Sequence, residues 1–160
     1  MGKFNTDLKF GEVGESIIVD YLTTKGLKYQ GTSKELHPDR IKYYDLLFTG
    51  KKGNVFVEVK TDKYISDTFD TNNIVFEISC SGKPSGVYTT SADLWVNYFV
   101  NKSKDNIWTI RVSDLKAIIE AQKSLGIITI KSGGDNFKTR LCVLNRLDYK
   151  EHFNIDTYIK

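Results

Sequence analysis

Proline is scarce, occurring only as Pro38 and Pro84 in a chain of 160 residues. With so few breakers, no internal repeat, no low-complexity tract and no Pro/Ser-rich stretch, nothing marks a domain boundary, and a single domain over residues 1–160 is expected. Cysteine is equally scarce: Cys80 and Cys142 stand alone, without a CxxC or Cys/His spacing. That excludes a zinc ribbon and a disulfide framework and leaves free, buried thiols. No run approaches the roughly 18–20 apolar residues of a membrane span. The opening "MGKFNTDLKF" also lacks the apolar centre of a secretory signal. A soluble, intracellular, cytoplasmic protein is the expectation, with bacterial or phage origin compatible. His37 and His152 show no nucleophile or ligand spacing, and no Ser/His/Asp set, P-loop or GxGxxG is present, so activities built on those motifs are excluded.

What is present suits one sizeable core: 40% hydrophobic and 12% aromatic residues, with a net charge of only +3. So mild a charge is compatible with an anionic polymer as partner without requiring one. In "FNTDLKFGEVGESIIVDYLTTKG", Asn5 or Thr6 can cap a helix, apolar residues recur from Phe10 to Leu22, and Gly26 supplies the stop. Ile41–Phe48 and Asn54–Lys60 read as two strands of a hairpin around "TGKKG", and Asn73–Ser79 as a third strand. Ser91–Val100 reads as a helix, with Thr90 as N-cap and Leu94, Trp95, Tyr98 and Phe99 as its apolar stripe. Asn106–Val112 is a fourth strand, Ser113 caps a helix over "DLKAIIEAQKS", and "KTRLCVLNRL" is a last strand before an ill-defined tail. The expected fold is a mixed α/β domain, a mixed central sheet flanked by helices, in the order helix, three strands, helix, strand, helix, strand.

The hairpin carries an anomaly. Its runs are apolar and β-prone, yet they contain Asp45, Glu58 and Lys60. A turn centred between Lys51 and Lys52 places Asp45 opposite Glu58. Directly opposed residues share a face with Cβ atoms roughly 4.5–5.5 Å apart, and Lys60, two positions on, points the same way. Val55, Val57 and Val59 then fill the opposite face as its core side. Facing carboxylates repel and need a cation; Lys60 supplies part of that charge, and a divalent ion with a preference for hard oxygen ligands, such as Mg²⁺, supplies it more fully. A plain solvated sheet face is the competing explanation for a bare Glu-x-Lys.

These elements, "FGEVGE" on the first helix, Asp45 in the first hairpin strand and "EVK" (Glu58, Val59, Lys60) in the second, resemble the PD-(D/E)XK nuclease superfamily. That superfamily has the restriction-endonuclease-like fold and includes Holliday-junction resolvases, restriction enzymes and phage recombination nucleases. The likeness covers Phe10–Lys60. A literal "PD" stands at Pro38-Asp39, but the hairpin register pairs Asp39 with Tyr64, beyond the motif strand, so Asp45 is preferred. The resemblance implies that Asp45, Glu58 and the main-chain carbonyl of Val59 hold Mg²⁺, with Mn²⁺ as a substitute. It implies that Lys60 orients or helps deprotonate the attacking water and that Glu15 completes the metal shell. The implied activity is endonucleolytic hydrolysis of DNA phosphodiesters in recombination, with resolution of branched junctions the first to test and an exonuclease or a restriction-type enzyme left open. A homodimer would let two such sites cut two strands. The alternative is a catalytically idle module of the same fold that binds DNA or a protein.

Other residues are candidates for the margin of the site. Glu12 lies one turn before Glu15, and Glu77 in the third strand can border the same patch. Lys51, Lys52, Lys63 and Lys83 are candidates for DNA contact, as are Lys131, Lys138 and Arg140. Lys83 and Ser85 lie in the glycine-flanked "SGKPSG", which can meet a phosphate or form a plain turn. Trp95 and Trp108 read as core rather than base-stacking platforms.

Overall fold

Ile17, Ile18, Tyr21 and Leu22 recur at helical spacing and give α1 (Lys3–Thr24) one apolar face, and Gly26 ends the helix with φ +89°, a conformation open to glycine at little cost. Asn5 and Thr6 lie inside this helix rather than capping it, because it begins at Lys3. The computed structural model describes residues 3–62, 72–100, 105–133 and 137–158. After α1 come β1 (Lys28–Thr32) and a short α2 (Ser33–Leu36), neither expected from sequence. The hairpin follows as β2 (Leu46–Gly50) and β3 (Gly53–Asp62).

Its register is the expected one, with Leu46 against Val57, Leu47 against Phe56 and Phe48 against Val55. Ile41–Tyr43, expected in the first strand, form a turn instead. Pro38 opens a 3₁₀ turn there, Tyr43 N–H returns to Arg40 O at 2.9 Å, and Tyr43 O accepts from Thr90 Oγ1 and Ser91 N. A carbonyl committed to that loop cannot extend the hairpin ladder.

Beyond the hairpin lie β4 (Asn73–Cys80), β5 (Lys83–Pro84), β6 (Leu94–Phe99) and β7 (Asp105–Arg111), then α3 (Val112–Ser124), β8 (Thr129–Gly133), β9 (Thr139–Asn145) and β10 (Asn154–Tyr158). The segment expected to be a helix from Ser91 to Val100 is therefore strand β6. Trp95, Val96, Asn97, Tyr98 and Phe99 are all buried, because β6 lies between β3 and β7 with both faces covered. A strand covered on both faces loses period-two alternation, and its run imitates a helical stripe. Thr90 accordingly caps no helix. Ser113 lies within α3, whose N-cap is Arg111.

The strands form two sheets rather than one. The larger is mixed, in the order β1-β2-β3-β6-β7-β10, with β3 and β6 parallel; the smaller is β5-β4-β9-β8. The expected third strand belongs to the smaller sheet, and the tail supplies β10, an edge strand of the larger. One core, holding Trp95, Phe76, Trp108 and Leu115, lies between the sheets and under α3. The other, holding Ile18, Leu22, Val57 and Val59, lies between the large sheet and α1. The valines of β3 thus form a core side, as their alternation predicts. Ile18 is fully buried in that seam. Ile18→Val is expected to cost about 0.5–1.5 kcal/mol in urea unfolding with an unchanged m-value.

Candidate active site

Asp45 stands where β2 has not yet begun. Its N–H donates to Val57 O at 2.9 Å rather than entering the ladder opposite Glu58, and its own carbonyl accepts from Ser33 N at 2.8 Å. Held at both backbone ends, it turns its carboxylate onto β3, where Oδ2 accepts from Val59 N at 2.7 Å. A side chain here takes the place of a neighbouring strand. In an antiparallel ladder a residue's N–H and C=O face the same side, so the Val59 carbonyl also opens toward Asp45.

On the face of β3 turned to the sheet–sheet core, Glu58 and Lys60 are paired, with Nζ 2.6 Å from Oε1. Glu58 is 9% exposed. The Lys60 side chain keeps about half its surface, 49%, open to solvent. Its ammonium lies 5.6 Å from the centre of the Trp95 ring, a cation–π distance. Trp95 and Trp108 are buried, as expected for core.

Glu15 joins from α1. The helix reaches β3 so closely because Gly14 has no side chain: a Cβ there would lie 1.8 Å from Thr61 Oγ1. Glu12 and Glu15, Asp45, Val59 and Lys60 line one cleft of about 520 Å³, with Val75 of β4 on its rim.

The electrostatics follow from three acids sharing one amine in a half-buried place. Burial, then the Glu58 charge, pushes Asp45 up to about 7, against which Lys60 and the Val59 amide act only in part. Burial, then Glu12, also raises Glu15. Desolvation pulls the Lys60 ammonium down, but Glu58 and Asp45 outweigh it and hold the group above the ordinary lysine value. The Glu77 charge adds, last and least, to that hold, although Glu77 does not line the cleft.

The other sequence candidates lie elsewhere. Asp39 is exposed in the 3₁₀ turn Pro38–Arg40, outside the cleft. Lys51 and Lys52 form the hairpin turn, and the strand between Lys52 and Lys60 spans roughly 25 Å at about 3.3 Å per residue, so neither lies beside the carboxylates. Lys83 is exposed in β5, where it pairs with Cys80, and Ser85 N–H donates to Ile78 O; the "SGKPSG" segment is a turn of the smaller sheet. Lys131, Lys138 and Arg140 are exposed on or beside that same sheet. Lys63 lies outside the described residues. His37 Nδ1 is hydrogen bonded to Tyr44 Oη, and Cys80 and Cys142 are free thiols, Cys142 buried. Sequence reading missed Asn97 of β6, because the strand itself was read as a helix, and it missed the Gly14 contact, whose only signal was a glycine inside a helical run.

Among the described residues, no three His, Cys, Asp or Glu side chains stand as a ready metal cage, and no helix is long and apolar enough to cross a membrane. No family model, no curated protein and no solved structure matches the chain.

Proposed function

We propose that the chain is a divalent-metal-dependent DNA endonuclease of the PD-(D/E)XK type, with Asp45, Glu58 and Lys60 as its reactive set. One observation carries this reading: the Asp45 carboxylate bonds the main chain of Val59 beside the Glu58–Lys60 pair, at the edge of an open cleft. Two carboxylates and a main-chain carbonyl are hard oxygen donors, the chemistry Mg²⁺ and Mn²⁺ select. Burial first, and then the charge of neighbouring carboxylates, raises Asp45 and Glu15, and a divalent cation would relieve the second of these causes. Asp45, Glu58 and Val59 O would hold the ion, with Glu15 closing the shell directly or through water. Once bound, such an ion lowers the pKa of water and neutralises charge on the transferring phosphoryl group.

The protein's own groups do the rest. Lys60 Nζ, half exposed and on a flexible stem, reaches from Glu58 toward the cleft, donates a hydrogen bond to the attacking water and orients its lone pair at phosphorus. Water oxygen bonds to phosphorus as the P–O3′ bond breaks; the water gives one proton to solvent and the leaving O3′ takes one from solvent, which yields a 3′-hydroxyl and a 5′-phosphate. A restriction-endonuclease-like ordering of the mixed sheet, a homodimer and a preference for branched DNA belong to the same proposal. Among the described residues, the lysine that would meet the DNA at the cleft is Lys60 rather than Lys51 or Lys52.

A second reading draws on the Glu58–Lys60 contact itself. At 2.6 Å it is a satisfied ion pair, which an idle module that binds DNA or a protein would keep for packing alone. Plasmid, linear duplex and four-way-junction DNA, incubated in Mg²⁺, Mn²⁺ or EDTA with wild type and Lys60→Ala, separate the two. The nuclease reading expects metal-dependent cleavage by wild type, reduced about 10²–10⁴-fold in the variant. DNA binding without cleavage in either protein supports the idle module.

A further inference from the structure

We propose that Asn97 is a positioning residue for Glu58: it is the donor that takes the Glu58 carboxylate when Lys60 leaves it for a phosphodiester. The departure of Lys60 rests on the nuclease reading; the contact itself does not.

Strands β3 and β6 are parallel, with Glu58 in register with Trp95 and Lys60 with Asn97. In-register neighbours share a face, so the four side chains form a block, with Asn97 one strand over and two residues along from Glu58. Trp95 Nε1 donates to Asn97 Oδ1 at 3.4 Å, which settles the orientation of the carboxamide. The Nδ2 end, with two protons to give, has no acceptor although Asn97 is only 3% exposed. Holding the Trp95 N–H accounts for the oxygen end alone; the buried, unpaired amide end still costs free energy and needs a reason of its own.

Glu58 presents the complementary problem. It is as good as buried, and the ammonium that satisfies it belongs to a side chain with half its surface in solvent. Moving that ammonium to the cleft leaves the Glu58 oxygen it held without a donor, since a bound ion would occupy the other oxygen, and that is expensive unless another donor takes its place. A glutamate reaches a diagonal neighbour across adjoining strands. The idle donor and the soon-abandoned acceptor therefore satisfy one another. With Asn97 in place, Lys60 can swing out without Glu58 following it.

The direct test reads the Asn97 side-chain amide by ¹⁵N–¹H NMR in wild type, in Lys60→Met, which keeps most of the lysine stem, and in Lys60→Met combined with Glu58→Met. The proposal expects one Asn97 Nδ2 proton to move downfield in Lys60→Met and to return in the double variant. An Asn97 amide unchanged by the loss of Lys60 overturns it. Asn97→Leu, which also takes the acceptor from Trp95 Nε1, gives a second reading: kcat about 10–100-fold lower at unchanged KM. A Leu variant that cleaves as wild type does overturns the proposal as well. Should wild type fail to cleave DNA at all, the nuclease reading falls while the NMR result still decides whether Asn97 takes up Glu58.

Discussion

Asp45→Asn is expected to leave the protein more stable at pH 8 and unable to cleave DNA. The stability gain follows from the cost of holding this carboxylate ionised beside Glu58 in a half-buried place, which pushes it from 3.8 to about 7. Below about pH 4 the group is protonated in both folded and unfolded chains. Between there and about pH 7 the unfolded chain ionises while the folded chain resists, so the folded state binds the extra proton and stability falls as pH rises. Above pH 7 both states are ionised and the slope disappears. Three pH units correspond to at most about 4 kcal/mol, a burden Asp45 shares with its neighbouring carboxylates. Asparagine removes the charge yet keeps an oxygen for the Val59 amide and gains an N–H for Glu58. Thermal unfolding followed from pH 4 to pH 8 should therefore slope downward for wild type and run flatter for the variant. Mg²⁺ should raise the Tm of wild type alone, since only wild type retains the ligand, and cleavage by the variant should fall to background. A variant that is less stable at pH 8 contradicts this account of the charge.

Gly14→Ala is expected to destabilise the fold by about 1–3 kcal/mol, although alanine is the better helix former by about 1 kcal/mol. The methyl group would meet Thr61 Oγ1 at 1.8 Å and Thr61 Cβ at 2.9 Å, so helix and strand must move apart. Gly11, one turn earlier on the same helix, has nothing within 4 Å of the same methyl position. Gly11→Ala should stabilise by about 1 kcal/mol. Urea unfolding of the two variants side by side thus tests a difference in sign. Because Glu15 adjoins Gly14, a helix lifted from β3 also carries Glu15 away from Lys60, so Gly14→Ala should weaken metal-dependent cleavage more than its loss of stability explains.

The hairpin was legible because its signals are local. Glycines at 50 and 53 fix the turn, the turn fixes the register, and alternation in β3 divides valines from charges. Glu58 and Lys60 within β3, and Asp45 just ahead of β2, are charges among apolar neighbours, a signal readable in the sequence itself. What stayed hidden depended on distant partners. Strand β6 reads as a helix because α1 covers one of its faces and the second sheet the other, which erases alternation. Tyr43 left the first strand because Thr90 and Ser91 claim its carbonyl. The separation of β4 from the hairpin, and the use of the tail as edge strand β10, follow from pairings between segments far apart in the chain. Gly14 and Asn97 carried no readable meaning, since a close approach or an unpaired amide exists only once two elements meet.

The account rests on a place where Asp45 and Glu58 can share one hard cation beside Lys60. Titrating the protein with Mn²⁺ at pH 8, and following the loss of the free-ion signal by electron paramagnetic resonance, addresses that directly. The expected result is saturable binding by wild type that is abolished by Asp45→Asn and by Glu58→Gln and retained by Asp39→Asn. Binding that is absent from wild type, or that survives both site substitutions, contradicts it.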